Sequence, residues 1–185
     1  MTRAPSALLI AVLACVALAA CGDDHKADPD TARLEAADRA LEKSPRDPFA
    51  MADVIRAAAA GAGNRVDTGS GRYRASARAF LNRADAVWPR YLRATHDRPD
   101  STIASLMVGV YANGLERPAD AARAAEFVAL DRPSAASYLS LAELSARAGQ
   151  RRKAEVAAQK ALELAEPEER DRVRAAIRVF LGERG

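Results

Sequence analysis

The chain has 185 residues, of which 49% are hydrophobic, 29% charged and 5% aromatic, and its formal net charge is +3 at pH 7. This length suits one compact domain, and the hydrophobic fraction is large enough to form a buried core. These values argue against a two-domain enzyme and exclude a polytopic membrane protein. A charge so close to neutral gives little support for binding to nucleic acid, and none is expected.

The N-terminus has the layout of a bacterial export signal. Arg3 is followed by an apolar stretch at 7–20, which is short for a membrane span, and then by Cys21. The segment Leu18-Ala19-Ala20-Cys21 resembles the lipobox of bacterial lipoproteins at all four positions. This resemblance implies a signal peptide at 1–20, cleavage before Cys21 and attachment of a diacylglycerol to the Cys21 thiol.

The cysteine content favours lipidation over an ordinary secretory signal cut nearby, which is the alternative. The other cysteine, Cys15, lies inside the predicted signal, so no disulfide is expected in the processed chain. Residues 21–30, with Cys21 at their start, contain four aspartates and a proline and predict a polar tether. We expect an extracytoplasmic domain anchored to the cell membrane or outer membrane, because two or more acyl chains give a lasting anchor.

From Thr31 onwards, apolar residues recur at helical spacing, which predicts eight helices joined mostly by short turns. Capping residues, prolines and glycines mark their ends. The expected helices cover 31–43, 48–60, 73–91, 101–113, 118–130, 135–148, 153–165 and 167–181. The third would be interrupted or kinked at Pro89, and no segment alternates in the manner of a strand.

The later helices show a repeated pattern of one large residue, a leucine and several small residues. Between 135 and 168 the pattern comprises Tyr138, Leu141, Ala142, Ala154, Ala158 and Ala161. It resembles the tetratricopeptide repeat (TPR), a helical hairpin of about 34 residues. A weaker unit covers 101–133, and a degenerate one covers 49–89 with an insertion at 61–71. The resemblance implies an all-α, short right-handed solenoid of helical hairpins over 31–185, closed by a C-terminal capping helix.

The TPR resemblance also implies a binding surface. In that family, residues one turn apart on the first helix of each hairpin line a concave groove. At the matching positions this sequence has Leu139, Glu143 and Arg147 in the better unit and Ser105, Gly109 and Asn113 in the weaker one. The resemblance implies that they contact a protein or peptide partner without serving the core, in a scaffold or assembly factor. The family's carboxylate clamp is absent, because Ser105 and Gly109 replace its lysine and asparagine.

One loop motif suggests catalysis. Asp67-Thr68-Gly69-Ser70 is similar to the active-site loop of aspartic proteases, which pair two carboxylates. Its helical context and the lack of a second copy predict an ordinary turn, so Asp67→Asn should leave function and stability nearly unchanged. Two alternatives stay open: an envelope hydrolase or accessory lytic factor using the loop at 61–71, and a structural helical bundle without a groove.

Other chemistry-bearing residues give little indication of an active site. His25 and His96 are the only histidines, both are expected in solvated segments, and no metal site, cofactor or enzymatic activity is predicted. The segment 72–98 contains seven arginines against two aspartates. These arginines could attract the acidic segment 22–53, anionic lipid or an acidic partner, although a solvated face is the default interpretation.

Overall fold

The computed structural model describes residues 28–182, and this part of the chain is all-α. Its eight helices pack in sequential antiparallel pairs, and no sheet occurs between residues 28 and 182. The helices are α1 (Pro29–Lys43), α2 (Pro48–Gly63), α3 (Arg78–Ala94), α4 (Ser101–Gly109), α5 (Pro118–Asp131), α6 (Ala135–Arg147), α7 (Arg151–Leu164) and α8 (Arg170–Leu181). A short 3₁₀ helix, Ala75–Ala77, precedes α3, and a π-helical turn, Val110–Gly114, extends α4.

Several helices begin where the capping residues predict. The Asp47 carboxylate accepts a hydrogen bond from the backbone N–H of Phe49 at 2.9 Å, with a proline at the first position of α2. Asp100 caps α4 in the same way through Thr102 N–H at 2.8 Å. Ser134 and Ser137 form a capping box at the start of α6. These side chains satisfy backbone donors that have no partner within the helix.

The first helix begins earlier than predicted. Asp28 is its N-cap and Pro29 its first residue, so the last residues of the predicted tether at 21–30 belong to the folded domain. From the sequence, Asp28 and Asp30 were predicted to belong to the tether. Their binding partners, Asn64 and Arg65, lie far along the chain and cannot be identified from neighbouring residues. At the other end, α7 begins two residues before and α8 three residues after the predicted positions of 153 and 167.

The segment between α2 and α3 also differs from the prediction. Gly61 does not end α2 but lies buried within it, beneath the ring of Phe80. Tyr73 is not the start of α3, because it forms an isolated antiparallel bridge with Val66. The helix α3 continues through Pro89 to Ala94 without interruption.

Small residues make up much of the core. Large side chains such as Ile55, Leu81, Ile103 and Met107 are fully buried, whereas every buried residue of α5 and α7 is an alanine. The buried alanines of these two helices are Ala121, Ala122, Ala124, Ala125, Ala129, Ala154, Ala157, Ala158 and Ala161. Beyond their sequential neighbours, α2 also packs against α4, and α6 packs against α8. Helices pack closely where their contacting side chains are short.

Gly61 provides a test of this close packing. Adding a Cβ there would bring it into collision with the Phe80 ring, whereas a Cβ at Gly63 in the same helix meets nothing within 4 Å. We expect Gly61→Ala to lower the free energy of unfolding by about 1–3 kcal/mol through overpacking. Gly63→Ala should leave it unchanged or slightly higher, because alanine favours a helix. Urea unfolding of both variants measures the difference, and equal stabilities would contradict the packing described.

Candidate functional site

The predicted binding face lies on α4, its π-helical turn and α6. Ser105, Asn113, Glu143 and Arg147 are exposed there. Leu139 does not match the prediction that it serves no structural role, because it is half-buried and packs against the hydrophobic core. The reason is geometric: α6 is covered by α5, α7 and α8, so only a narrow strip of its surface remains accessible.

The structure brings parts of the two predicted sets together at one end. The Arg147 guanidinium donates a long hydrogen bond of 3.5 Å to the carbonyl oxygen of Ala112, the residue before Asn113. Ser105 donates its hydroxyl hydrogen to the Ser101 carbonyl oxygen at 2.8 Å, so this side chain is satisfied within α4. The charged groups on this face are therefore those of Glu143 and Arg147.

Gly109, on the same face, has no side chain to cover the helix backbone. It occupies the last position of α4, and a Cβ added there would have no neighbouring atom within 4 Å. A glycine inside a helix costs about 0.5–1 kcal/mol relative to alanine. Nothing in the described fold requires glycine at this position, which distinguishes Gly109 from Gly61.

The protease-like loop is a hydrogen-bonded turn. The Asp67 carboxylate accepts hydrogen bonds from Ser70 N–H at 2.8 Å, Ser70 hydroxyl at 2.9 Å and Gly69 N–H at 3.2 Å. Its nearest cation is Arg74, at 3.8 Å. The hydrogen bonds from Ser70 lower the pKa of Asp67 below its usual value, and the bond from the Ser70 backbone N–H has the larger effect. This carboxylate therefore organises a turn.

A second polar cluster lies in a cleft of about 280 Å³ between α3, the π-helical turn and the start of α5. The Tyr111 hydroxyl donates to the Asp85 carboxylate at 2.8 Å, and Arg117 donates to Asp85 at 2.8 Å and to Asp120 at 2.6 Å. The Arg117 guanidinium also lies 5.0 Å from the centre of the Tyr111 ring. Three secondary structure elements are thus joined by one charged network.

The electrostatics of this cleft favour a structural role. Burial and then the hydrogen bond to Asp85 raise the pKa of Tyr111, so its phenol stays protonated and acts as a donor. Sequence reasoning missed the cluster because its members are 26 and 32 residues apart in the chain. The one available signal was Asp85, an isolated acid among the arginines of α3.

Comparisons with known proteins found no match to a protein-family model, a curated protein or a solved structure. The TPR resemblance therefore stays a prediction. Among the residues that the structure describes, no group of three or more histidine, cysteine or acidic side chains could hold a metal ion. None of the described helices combines the length and apolar character needed to cross a membrane.

The role of Asp67 predicts a particular response to substitution. Asp67→Asn should leave the melting temperature nearly unchanged at pH 7, because the amide oxygen can accept the same hydrogen bonds. Asp67→Ala should lower it. Because folding lowers the pKa of Asp67, its stabilisation is present above the unfolded value of 3.8 and is lost as the pH falls through the folded pKa. The difference between Asp67→Ala and wild type should thus shrink at acid pH; a difference that grows there would contradict this role.

The cleft network predicts a second effect on stability. Tyr111→Phe should lower the free energy of unfolding by about 1 kcal/mol, because Asp85 loses a hydrogen-bond donor in a partly buried site. The matched control is Tyr138→Phe, since the half-buried Tyr138 makes no side-chain hydrogen bond to the described residues. Chemical unfolding compares the two variants. Equal losses would show that the Tyr111–Asp85 hydrogen bond contributes nothing of its own.

Proposed function

We propose that this protein is a lipid-anchored, extracytoplasmic scaffold or assembly factor that binds a protein or peptide partner through the face of α4 and α6. The lipobox at Cys21 supports the anchor, and the accessible strip formed by Ser105, Gly109, Asn113, Glu143 and Arg147 supports the binding role. The predicted signal peptide at 1–20, Cys21 and residues 22–27 lie outside the described residues.

The packing supports a short TPR-like solenoid as the finer form of this fold. In stacked hairpins the first helix of one unit contacts the first helix of the next. Contacts of this kind join α2 to α4 and α6 to α8, whereas α4 and α6 hardly touch each other directly. Leu141, Ala142 and Ala158, which belong to the repeat pattern, are buried. Gly149, in the turn between α6 and α7, has a φ of 72°, a conformation that glycine adopts without strain.

The helix α8 supports the capping role. It buries Val173 and Ile177 against α6 and α7, and Phe180 and Leu181 pack against the core at its end. Its charged side chains are exposed. A solenoid needs such an amphipathic end, because its last hairpin would otherwise expose an apolar face. Val179, 83% exposed, is the exception on this outer surface.

Gly109 is the observation that most favours a binding face. An open backbone on an accessible helical strip lets a partner approach more closely than any side chain would permit. The neighbouring Glu143 and Arg147 supply one charge of each sign, which suits a polypeptide segment with mixed charges and apolar groups. Apart from the long hydrogen bond from Arg147 to the Ala112 carbonyl oxygen, no contact among the described residues accounts for Gly109, Glu143 and Arg147.

The anchor can be tested directly. Cys21→Ser should give an unprocessed precursor that no longer incorporates radioactive palmitate, because the thiol that accepts the lipid is gone. Whole-cell labelling followed by electrophoresis measures both changes. Undiminished labelling of Cys21→Ser would exclude Cys21 as the attachment site and leave the secretory alternative.

The binding face can be tested with two matched charge pairs. Glu143→Ala with Arg147→Ala should reduce the partner recovered by cross-linking in intact cells at least roughly fivefold, since truncating a side chain that is central to an interface costs about 1 kcal/mol or more. The control is Glu155→Ala with Arg151→Ala, an exposed glutamate–arginine pair of the same spacing on α7. Thermal unfolding should be nearly the same for both. Equal partner recovery would place the site elsewhere.

A substitution at Gly109 provides an independent test, because it should increase stability and decrease partner binding. Gly109→Ala should raise the free energy of unfolding by about 0.5–1 kcal/mol, because the helix gains propensity and the Cβ enters open space. The same variant should weaken partner cross-linking, because the methyl group keeps the partner away from the backbone. A stabilised protein with unchanged cross-linking would remove Gly109 from the binding face.

A further inference from the structure

The loop between α2 and α3, together with the first residue of α3, carries an exposed basic edge formed by Arg72, Arg74 and Arg78. All three side chains are exposed. Neither Arg72 nor Arg78 forms an ion pair with the described residues, and Arg74 lies 3.8 Å from Asp67, too far for a hydrogen bond. The charges of Arg72 and Arg78 are therefore not neutralised by the described fold, and that of Arg74 is only partly offset by Asp67.

The basic edge is held beside the point where the chain enters the domain. Arg65, at the base of the loop, forms ion pairs with Asp28 and, at 2.9 Å, with Asp30, the residues that open α1. The side chain of Asn64 donates to Asp30 at 3.0 Å. The two ends of the loop are joined at Arg65, because the backbone N–H of Arg74 donates to the Arg65 carbonyl oxygen at 2.8 Å.

The chain length between the predicted lipid and this entry point is short. Six residues, 22–27, separate Cys21 from Asp28. At no more than about 3.6 Å per residue, Asp28 lies within about 25 Å of Cys21. The loop tip at Ser70 is five residues from Arg65 and so within about 18 Å of it. The tether is therefore short enough to keep the basic edge close to the membrane that holds the lipid.

We propose that the basic edge docks onto the anionic phospholipid headgroups of the membrane that holds Cys21. This inference rests on the lipid anchor of the proposed function. Arginine guanidinium groups bind phosphate oxygens through paired hydrogen bonds, and basic residues near an anionic surface each add to the attraction. The tether cannot supply this attraction, because Asp23 and Asp24 outnumber Lys26 there.

Docking at this edge would set the orientation of the domain. The start of α1, the end of α2 and the start of α3 all lie at the membrane end, because these helices pack antiparallel in sequence. The 15 residues of α1 extend about 22 Å, which carries the turn at Ser44 away from the surface. Ser44 therefore marks the far end of the first hairpin.

A single-cysteine label on the processed, lipidated protein tests the docking. The probe is an environment-sensitive fluorophore on Thr68→Cys, a residue at the exposed loop tip, with Ser44→Cys as the control for the opposite end. The protein is reconstituted in vesicles of phosphatidylcholine, with or without phosphatidylglycerol, and vesicle flotation measures anchoring separately. We expect the label at Thr68→Cys to report contact with headgroups only in vesicles that contain phosphatidylglycerol, at low salt. The label at Ser44→Cys should report a water environment in both kinds of vesicle.

Matched charge variants identify the groups responsible. Arg72→Gln, Arg74→Gln and Arg78→Gln together should reduce the docked population roughly tenfold or more, given a contribution of roughly fivefold per arginine. Removing three exposed arginines elsewhere, with Arg123→Gln, Arg152→Gln and Arg172→Gln, should leave it unchanged.

The possible failures are distinguishable. Flotation of the protein with a Thr68→Cys label that stays in water, or that responds equally in neutral vesicles, would overturn the docking and leave the anchor intact. Failure to float would overturn the lipid anchor and with it the docking. Equal losses in the two triple-glutamine variants would overturn the assignment to the basic edge.

Discussion

Arg65 is the residue through which the N-terminal part of the fold is held together. Its guanidinium forms ion pairs with Asp28 and Asp30 at the start of α1, donates to the Gly61 carbonyl oxygen at 2.6 Å, and lies 4.2 Å from the centre of the Phe80 ring on α3. The side chain is only 15% exposed, so its charge requires these partners. Because α1 buries little apolar surface, with Leu41 its one fully buried residue, its position depends strongly on this contact.

The proposed function depends on the packing of the C-terminal helices and of the first hairpin. Alanine-rich inner faces let α5, α6 and α7 approach closely, which leaves the strip with Glu143 and Arg147 as the accessible part of α6. At the other end, Arg65 fixes the entry of the chain beside the loop. An anchor at Cys21 would then hold the first hairpin near the membrane, while α4 and α6 supply the surface proposed for a partner. Arg83, which donates two hydrogen bonds to Asp38 of α1, adds a second contact across this hairpin.

The sequence predicted the features that depend on neighbouring residues and missed those that depend on distant ones. The eight helices, and the starts of α2, α4 and α6 at Asp47, Asp100 and Ser134, follow from local capping and apolar spacing. The start of α1 was missed because Asp28 and Asp30 bind a partner 35 or more residues away. The half-buried state of Leu139 was missed because the repeat pattern does not say how fully its neighbours cover α6. The Tyr111 network depends on a π-helical turn, which apolar spacing does not indicate.

Amide hydrogen exchange of Arg65→Gln, followed helix by helix in the processed protein, tests most directly whether Arg65 holds the entry of the chain. Hydrogen bonds to charged groups contribute about 1.5–3 kcal/mol each, so the amides of α1 should exchange about tenfold faster or more. Exchange in α5 to α8 should stay at the wild-type rate, because these helices do not contact Arg65. Unchanged protection of α1, or an equal loss of protection in all eight helices, would contradict the account.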